Sequence, residues 1–473
     1  MLRVTEFKFK LLLSIILCCF YIFIELLFFV EIPREIIFIF LLLLIGISGI
    51  IIFYYLKEDI ILAIYFWAVL LGPYLFNVSG HFIKISYIII PILYFLIFIK
   101  IFINKTVNLR IYLNSVFYTS ILFSTIILIS SLLNINHITP ATYSFIGLWF
   151  LGYIFFVFYL CHISYCNKYK IVKLAEKTLM VFLWIGVISS IIAILEYYYP
   201  EIVRTFYNPE LKEKILTRSN TEWFMDIRRT GSILGTPNSF GMFLIFCSII
   251  AWYNWIYRKN LFFLLLIPIY FFTIFFYSNS RSALIIFFII TLIILFRYRK
   301  YLLIFFLMYL SIFSFIFVKS KIISFFLSGK KYIANPLEIG QNIAGLGERI
   351  SLWIASLYTL IQKPIHFLYG YGSSNDLMVF IIGKQHAHNI IISVLQFYGI
   401  FGLVCLFFFI KFLFKMIKDL SILKGFIFPK AFYLILVAML IHSFVGGIFI
   451  FNPHMNCILY PLIAFIIRLS LIN

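Results

Sequence analysis

Apolar residues run along this chain in unbroken stretches of about 20, separated by short polar or basic links, without the alternation that marks a membrane strand. Such a run crosses a hydrocarbon core only as a helix, because lipid offers no partners to backbone N–H and C=O groups. The pattern predicts an all-α, polytopic membrane bundle of about fourteen spans. They fall at 11–30, 36–56, 60–76, 82–103, 116–134, 141–161, 178–199, 238–257, 261–277, 282–296, 301–318, 389–414, 431–450 and 456–472. The first has no small-residue cleavage site after it and reads as a retained anchor. Two links are long, about 200–237 and 319–388. The chain thus divides into N-terminal spans (1–199), a first long loop (200–237), central spans (238–318), a larger loop with an amphipathic helix (319–388) and C-terminal spans (389–473).

Composition agrees: 64% of residues are hydrophobic, 12% are charged, and there are 60 Phe and 32 Tyr. Mean hydropathy is +1.10. The net charge of +21 would suggest a nucleic-acid partner in a soluble protein. Here the basic residues collect in every second link, as in Lys168/Lys170/Lys173/Lys177, Arg258/Lys259 and Arg297/Arg299/Lys300. The intervening short links hold only Arg34, Lys84 and Arg281. The positive-inside rule then puts both termini in the cytoplasm and both long loops outside, with no nucleic-acid partner. Cys18, Cys19, Cys247, Cys405 and Cys457 fall within spans and Cys161 and Cys166 beside one, so no disulfide framework or cysteine metal site is expected. Glu25 and Glu196 lie at membrane depth close to the outer surface, where contact with water favours a structural role.

Candidate chemistry gathers on the outer side. No Walker or dinucleotide motif follows a strand, in keeping with a face without nucleotides. The first long loop ends in Arg228-Arg229-Thr-Gly-Ser, then Gly235-Thr-Pro237-Asn238-Ser-Phe-Gly241. Forked guanidinium donors beside a helix start suit phosphate, and they equally suit lipid headgroups. In Ser278-Asn-Ser-Arg281-Ser, an arginine held between two spans with almost no loop calls for an anionic partner. Ile350, Trp353, Ile354, Leu357, Leu360 and Ile361 share one helical face that Pro364 ends. Arg349 opens that helix and opposes its macrodipole unless an anion is there too. Gly370-Tyr-Gly372 makes a turn, and turn-making alone explains it. Then Lys384-Gln-His386-Ala-His388-Asn389 precedes a long apolar helix. Histidine is suited to take a proton near neutral pH, while a capping role at the helix entrance is the rival reading. No nearby Cys or paired carboxylate completes a metal ligand set.

The set Arg-Thr-Gly…Pro-Asn-Ser-Phe-Gly, Ser-Arg-Ser, Glu-Arg-Ile-Ser-Leu-Trp, Tyr-Gly-Tyr-Gly and His-Ala-His-Asn…Tyr-Gly-Ile-Phe-Gly resembles the O-antigen ligase and O-antigen polymerase superfamily over roughly residues 180–410. The resemblance implies a GT-C-like helical fold in the bacterial inner membrane, working at the periplasmic face without metal or other cofactor. It implies transfer of a glycan from undecaprenyl diphosphate to an acceptor hydroxyl. Arg281 and Arg349, helped by Arg228 or Arg229, would hold the diphosphate. His388, with His386 as second choice, would be the base, and Asn389, Asn238 and Gly372 would support the site. The first outer loop holds Glu31 and Glu35 and no Asp-X-Asp pair, which fits a metal-independent reaction.

The expected function is that of a polymerase joining lipid-linked repeat units. Its partners would be the undecaprenyl-diphosphate-linked donor and acceptor, membrane lipid and a chain-length co-polymerase. A ligase acting on the lipid A core is the alternative within the superfamily. A flippase for the same lipid is the alternative outside it, and would place polar groups through the middle of spans instead of at one face.

Overall fold

The computed structural model describes residues 33–78, 81–104, 114–134, 140–207, 230–298, 353–354, 357–358, 360–361, 364–372, 389–421, 426–445 and 453–472. The spans expected at 11–30 and 301–318, and with them Cys18, Cys19 and Glu25, lie outside the described residues. As far as their residues are described, and with 60–76 helical only to Leu71, the other expected spans fall wholly or largely on helices. In chain order these are α1 (Arg34–Leu56), α2 (Ile60–Phe66), α3 (Ser86–Asn104), α4 (Ser115–Leu133), α5 (Pro140–His162), α6 (Lys168–Tyr198), α7 (Pro200–Tyr207), α8 (Pro237–Arg258), α9 (Leu261–Phe272), α10 (Arg281–Arg297), α11 (Pro364–Tyr369), α12 (Ile390–Ser421), α13 (Ile427–Val445) and α14 (Pro453–Ile472). Among the described residues eight helices are long and apolar enough to cross a membrane, and shorter apolar helices accompany them. The chain is a multi-pass membrane protein built as a helical bundle.

The sequence pattern misreads one element. The span expected at 60–76 ends at Leu71, after a π-helical turn Trp67–Leu71, and an antiparallel hairpin follows, β1 (Tyr74–Val78) and β2 (His81–Lys84). Pro73 has no N–H with which to continue a helix, and the residues after it, Tyr74-Leu-Phe-Asn-Val78, include aromatic and β-branched types that suit a strand. The π turn leaves the Val69 carbonyl to accept a hydrogen bond from the buried Lys84 Nζ at 2.9 Å. A second correction concerns α6, which starts at Lys168 and not near 178 because Asn167 caps it, accepting the Lys170 N–H at 2.9 Å.

Helices α6 and α8 form the centre. An apolar helix in a membrane protein can face lipid or neighbours, and here the small and polar residues decide it. A Cβ on Gly186 would lie 2.7 Å from Cys247 Sγ and 3.0 Å from the Tyr270 ring, so α6, α8 and α9 approach closely there. Tyr270 OH donates to the Leu183 carbonyl at 2.7 Å in the same contact. Ser189 and Ser190 satisfy their hydroxyls on the Gly186 carbonyl, at 3.1 and 2.8 Å.

The basic end of the bundle is held by ion pairs and caps. Lys173 and Lys177 meet Glu58, and Arg258 meets Glu176. Asp59 caps α2 and is buried beside Tyr159 OH at 2.8 Å and His162 Nε2 at 3.5 Å. Burial pushes the Asp59 carboxyl up, but His162, Tyr159 and the Leu62 N–H outweigh that and hold it below the usual carboxylate range.

The span expected at 389–414 is a broken helix. Within α12, Gly399 takes φ 64° and ψ −165°, which separates a half-helix of residues 390–398 from the long remainder. The break frees carbonyls that the Gly370–Gly372 turn satisfies. Tyr371 N–H donates to Gln396 O at 2.8 Å and Gly372 N–H to Phe397 O at 2.9 Å. Ser130 Oγ of α4 donates to Phe397 O at 2.6 Å. Irregular backbone at membrane depth is tolerated only when protein covers it this way. A Cβ on Gly399 would sit 2.2 Å from the Leu368 carbonyl oxygen, and one on Gly370 would sit 2.2 Å from the Phe397 carbonyl carbon. Gly399→Ala is therefore expected to cost at least about 1–3 kcal/mol through backbone strain, before any clash is counted. Thermal unfolding in detergent should show a clear loss of stability. An unchanged midpoint would mean that the break is not a fixed feature.

Candidate functional site

At the opposite end from the ion-paired lysines, three sequence-separated segments meet. Glu196, close to the C-terminus of α6, is buried, 3% exposed, and does not reach water as expected. Its structural role holds for a different reason. One carboxylate oxygen accepts Arg204 Nε of α7 at 3.0 Å. The other accepts the Gly231 and Ser232 N–H groups at 2.9 and 2.7 Å. Thr230 N–H donates to Tyr277 O at 2.9 Å, and Ser232 Oγ donates to Ser189 O at 2.7 Å. The backbone that follows Arg229 is therefore tied to the turn that precedes Arg281.

That turn and the start of α8 lock together. Thr236 caps α8 with Pro237 at its first position, and Ser280 caps α10. Ser280 Oγ donates to Asn238 Oδ1 at 2.9 Å, and Ser278 Oγ donates to Pro237 O at 2.8 Å. Gly241 allows the approach, since a Cβ there would fall 2.8 Å from Ala283 Cβ. Asn279 closes the short link with φ 47°, a left-handed conformation that Asn tolerates. Two helix N-termini thus lie side by side, each with the positive end of a helix dipole. Arg281 is the first residue of α10. The positive end of a helix dipole favours an anion.

A second group of residues forms on the broken helix. Asn389 Oδ1 accepts the Ile391 and Ile392 N–H groups at 3.0 and 3.4 Å, so the cap of the half-helix is Asn389, and no histidine is needed for it. Gly372 supports the fold directly: its φ is 70° and its N–H holds Phe397 O. His366 stacks on Tyr371 with ring centres 4.2 Å apart, and its Nδ1 donates to Gly370 O at 3.1 Å. Asn134 Nδ2, at the end of α4, donates to Ser130 O at 2.8 Å and reaches Gly370 O at 3.5 Å. Of the expected amphipathic face, Leu360 is buried whereas Ile354 and Ile361 are exposed.

Asn238 and the Arg281 backbone are brought together, while Asn389 and Gly372 belong to the second group. Arg228, Arg229, Arg349, His386 and His388 lie outside the described residues, as does the side chain of Arg281. Glu196, Arg204, Ser280 and Ser130 carry structural duties at this end. Glu196 gave a signal in the sequence as a carboxylate in an apolar run, and Ser280 lies in the marked Ser278–Ser282 link, whereas Arg204 and Ser130 gave none.

Removing the charge of Glu196 by Glu196→Gln should destabilise the fold by about 1–3 kcal/mol, because the half-buried Arg204 loses its carboxylate partner and the Gly231 and Ser232 N–H groups lose a charged acceptor. Arg204→Met combined with Glu196→Gln should recover part of that loss, read as unfolding midpoints in detergent. A fully additive double variant would refute the pairing.

Residues 266–407 match a family model described as O-antigen ligase. That stretch takes in the turn before Arg281, Arg349, the Gly370–Gly372 turn, the His386–Asn389 motif and the break at Gly399. No curated protein matches the chain. Over residues 266–407 the chain is thus similar to the O-antigen ligase family, in line with the resemblance to the O-antigen ligase and O-antigen polymerase superfamily read from its motifs.

Proposed function

We propose that the chain is an O-antigen polymerase, a glycosyltransferase that extends a glycan carried on undecaprenyl diphosphate. The observation that carries this reading is the pair of helix N-termini at α8 and α10, joined through Ser280 and Asn238, with Arg281 opening α10 inside the family-matched stretch. Such a place suits the two phosphates of a lipid-linked donor. In this reading the bundle has fourteen spans in a GT-C-like arrangement in the bacterial inner membrane, with both termini cytoplasmic and the site periplasmic.

The chemistry is a single displacement with inversion. His388 takes the proton of the acceptor hydroxyl, with His386 second in line. The oxygen then attacks the anomeric carbon as that carbon's bond to the diphosphate oxygen breaks. Undecaprenyl diphosphate leaves with the bonding electrons. Arg281, Arg349 and Arg228 or Arg229 stabilise the growing charge, which is greater in the transition state than in the bound donor. No metal is required by this scheme. The acceptor is a second lipid-linked repeat unit, and a chain-length co-polymerase is the expected partner. The ligase reading shares every step except the acceptor, which is then a lipid A core sugar. The description of the matching family, O-antigen ligase, speaks for it.

Expression in a polymerase-null and a ligase-null strain separates the two. Long chains restored in the first strain alone support the polymerase, and attachment restored in the second alone supports the ligase. His388→Ala should lower transfer by about 10²–10⁴-fold at unchanged membrane levels, the usual contribution of one general base. Arg281→Gln should weaken use of the lipid-diphosphate donor more than use of the acceptor. Near-normal transfer by His388→Ala would remove the base assignment, and unchanged donor use by Arg281→Gln would remove the diphosphate assignment.

A further inference from the structure

Beneath the paired helix N-termini a row of polar side chains crosses three helices. His442 of α13 is 1% exposed, and its Nε2 lies 3.2 Å from Ser282 Oγ in the first turn of α10. Ser282 Oγ lies 3.2 Å from Ser280 Oγ. Ser280 Oγ in turn donates to Asn238 Oδ1 at 2.9 Å and accepts the Ala283 N–H at 3.4 Å.

The direction of this row follows from proton counting. A hydroxyl carries one proton. That of Ser280 goes to Asn238, so the contact between the serines needs the proton of Ser282. With the Ser282 proton used, His442 must donate through an Nε2–H. Each donor therefore points from α13 through α10 toward α8, and this fixes the tautomer of the imidazole. Arg281 stands between the two serines in sequence, on the turn that this row holds.

An imidazole in an otherwise apolar helix is costly to bury unless its polar atoms have work to do. Packing alone would be met by Phe or Leu, which abound in this chain. We infer that His442 is a positioning residue of the anion site. Through its Nε2–H it holds Ser282 and Ser280, and so sets how the first turn of α10 presents Arg281 and its free N–H groups beside Asn238. The inference rests on the reading of this end as a diphosphate site.

The test is binding of undecaprenyl diphosphate to the full-length protein in detergent, with undecaprenol as the uncharged control and unfolding without ligand recorded in parallel. His442→Phe and Ser282→Ala should each raise the Kd for undecaprenyl diphosphate about tenfold, the effect of one well-placed hydrogen bond, and leave undecaprenol binding unchanged. His442→Gln, whose Nε2 can donate from a similar position, should return the Kd to within about threefold of the parent. The double variant His442→Phe/Ser282→Ala should be no weaker than His442→Phe alone, because both act through one contact. A Gln variant as weak as the Phe variant would overturn the inference, as would fully additive losses or unchanged binding throughout. If His442→Phe fails to accumulate, Ser282→Ala and His442→Gln decide the matter by the same criteria. Arg281→Gln separates the two levels: if it loses binding while the His442 and Ser282 variants keep it, the diphosphate reading stands and the positioning role fails. If Arg281→Gln binds normally, the diphosphate reading itself fails.

Discussion

A peptide group without a hydrogen-bond partner costs several kcal/mol in hydrocarbon, and three departures from regular helix among the described residues are arranged around that constraint. The break at Gly399 would strand the Gln396 and Phe397 carbonyls had the Gly370–Gly372 turn and Ser130 not come to meet them. The π-helical turn Trp67–Leu71 has Lys84 against its Val69 carbonyl. The descent from the first long loop has Glu196 to receive two backbone N–H groups. Each irregular segment is thus tied to a side chain or turn far away in sequence. Its shape is fixed by the fold instead of by its own residues.

This accounts for where the unusual polar residues of the chain stand. A regular helix satisfies its own backbone everywhere except at its ends, so free donors in a membrane protein exist only at helix termini and breaks. The chain places its unusual arginine at one such terminus and its histidine motif immediately before another, the start of the half-helix at Ile390. Serine, threonine and asparagine side chains do the capping at Thr236, Ser280 and Asn389. The charged residues are left for other work.

The bundle was largely legible in the sequence because its apolar runs match membrane thickness and its polar links are short. Boundaries failed where a local signal was weaker than a tertiary one. The hairpin after Pro73 was absorbed into a span because its residues are as apolar as those of the helix before it. The break at Gly399 was hidden since a glycine among Phe, Tyr and Ile in a span ordinarily marks close helix packing. Of the site, the segments Pro237–Gly241 and Ser278–Ser282 could be marked from composition, but not that they hydrogen-bond to each other. Glu196 could be marked as unusual, yet its partners Arg204, Gly231 and Ser232 are set by how the chain turns at Pro200 and returns after the long loop. Pairings of that kind depend on three-dimensional closure and leave no periodic trace.

The Gly370–Gly372 turn and the Asn389 cap have a further consequence for how such a protein can diversify. Gly372 N–H donates to the Phe397 carbonyl and Asn389 Oδ1 accepts the Ile391 N–H, so the two residues flanking 373–388 are both moored to one half-helix. Lengthening a stretch with fixed ends costs only about 0.6 kcal/mol for each doubling of its length. Changes of length between Gly372 and Asn389 therefore leave these two moorings in place. Variation between the two moorings is thus compatible with an unchanged half-helix.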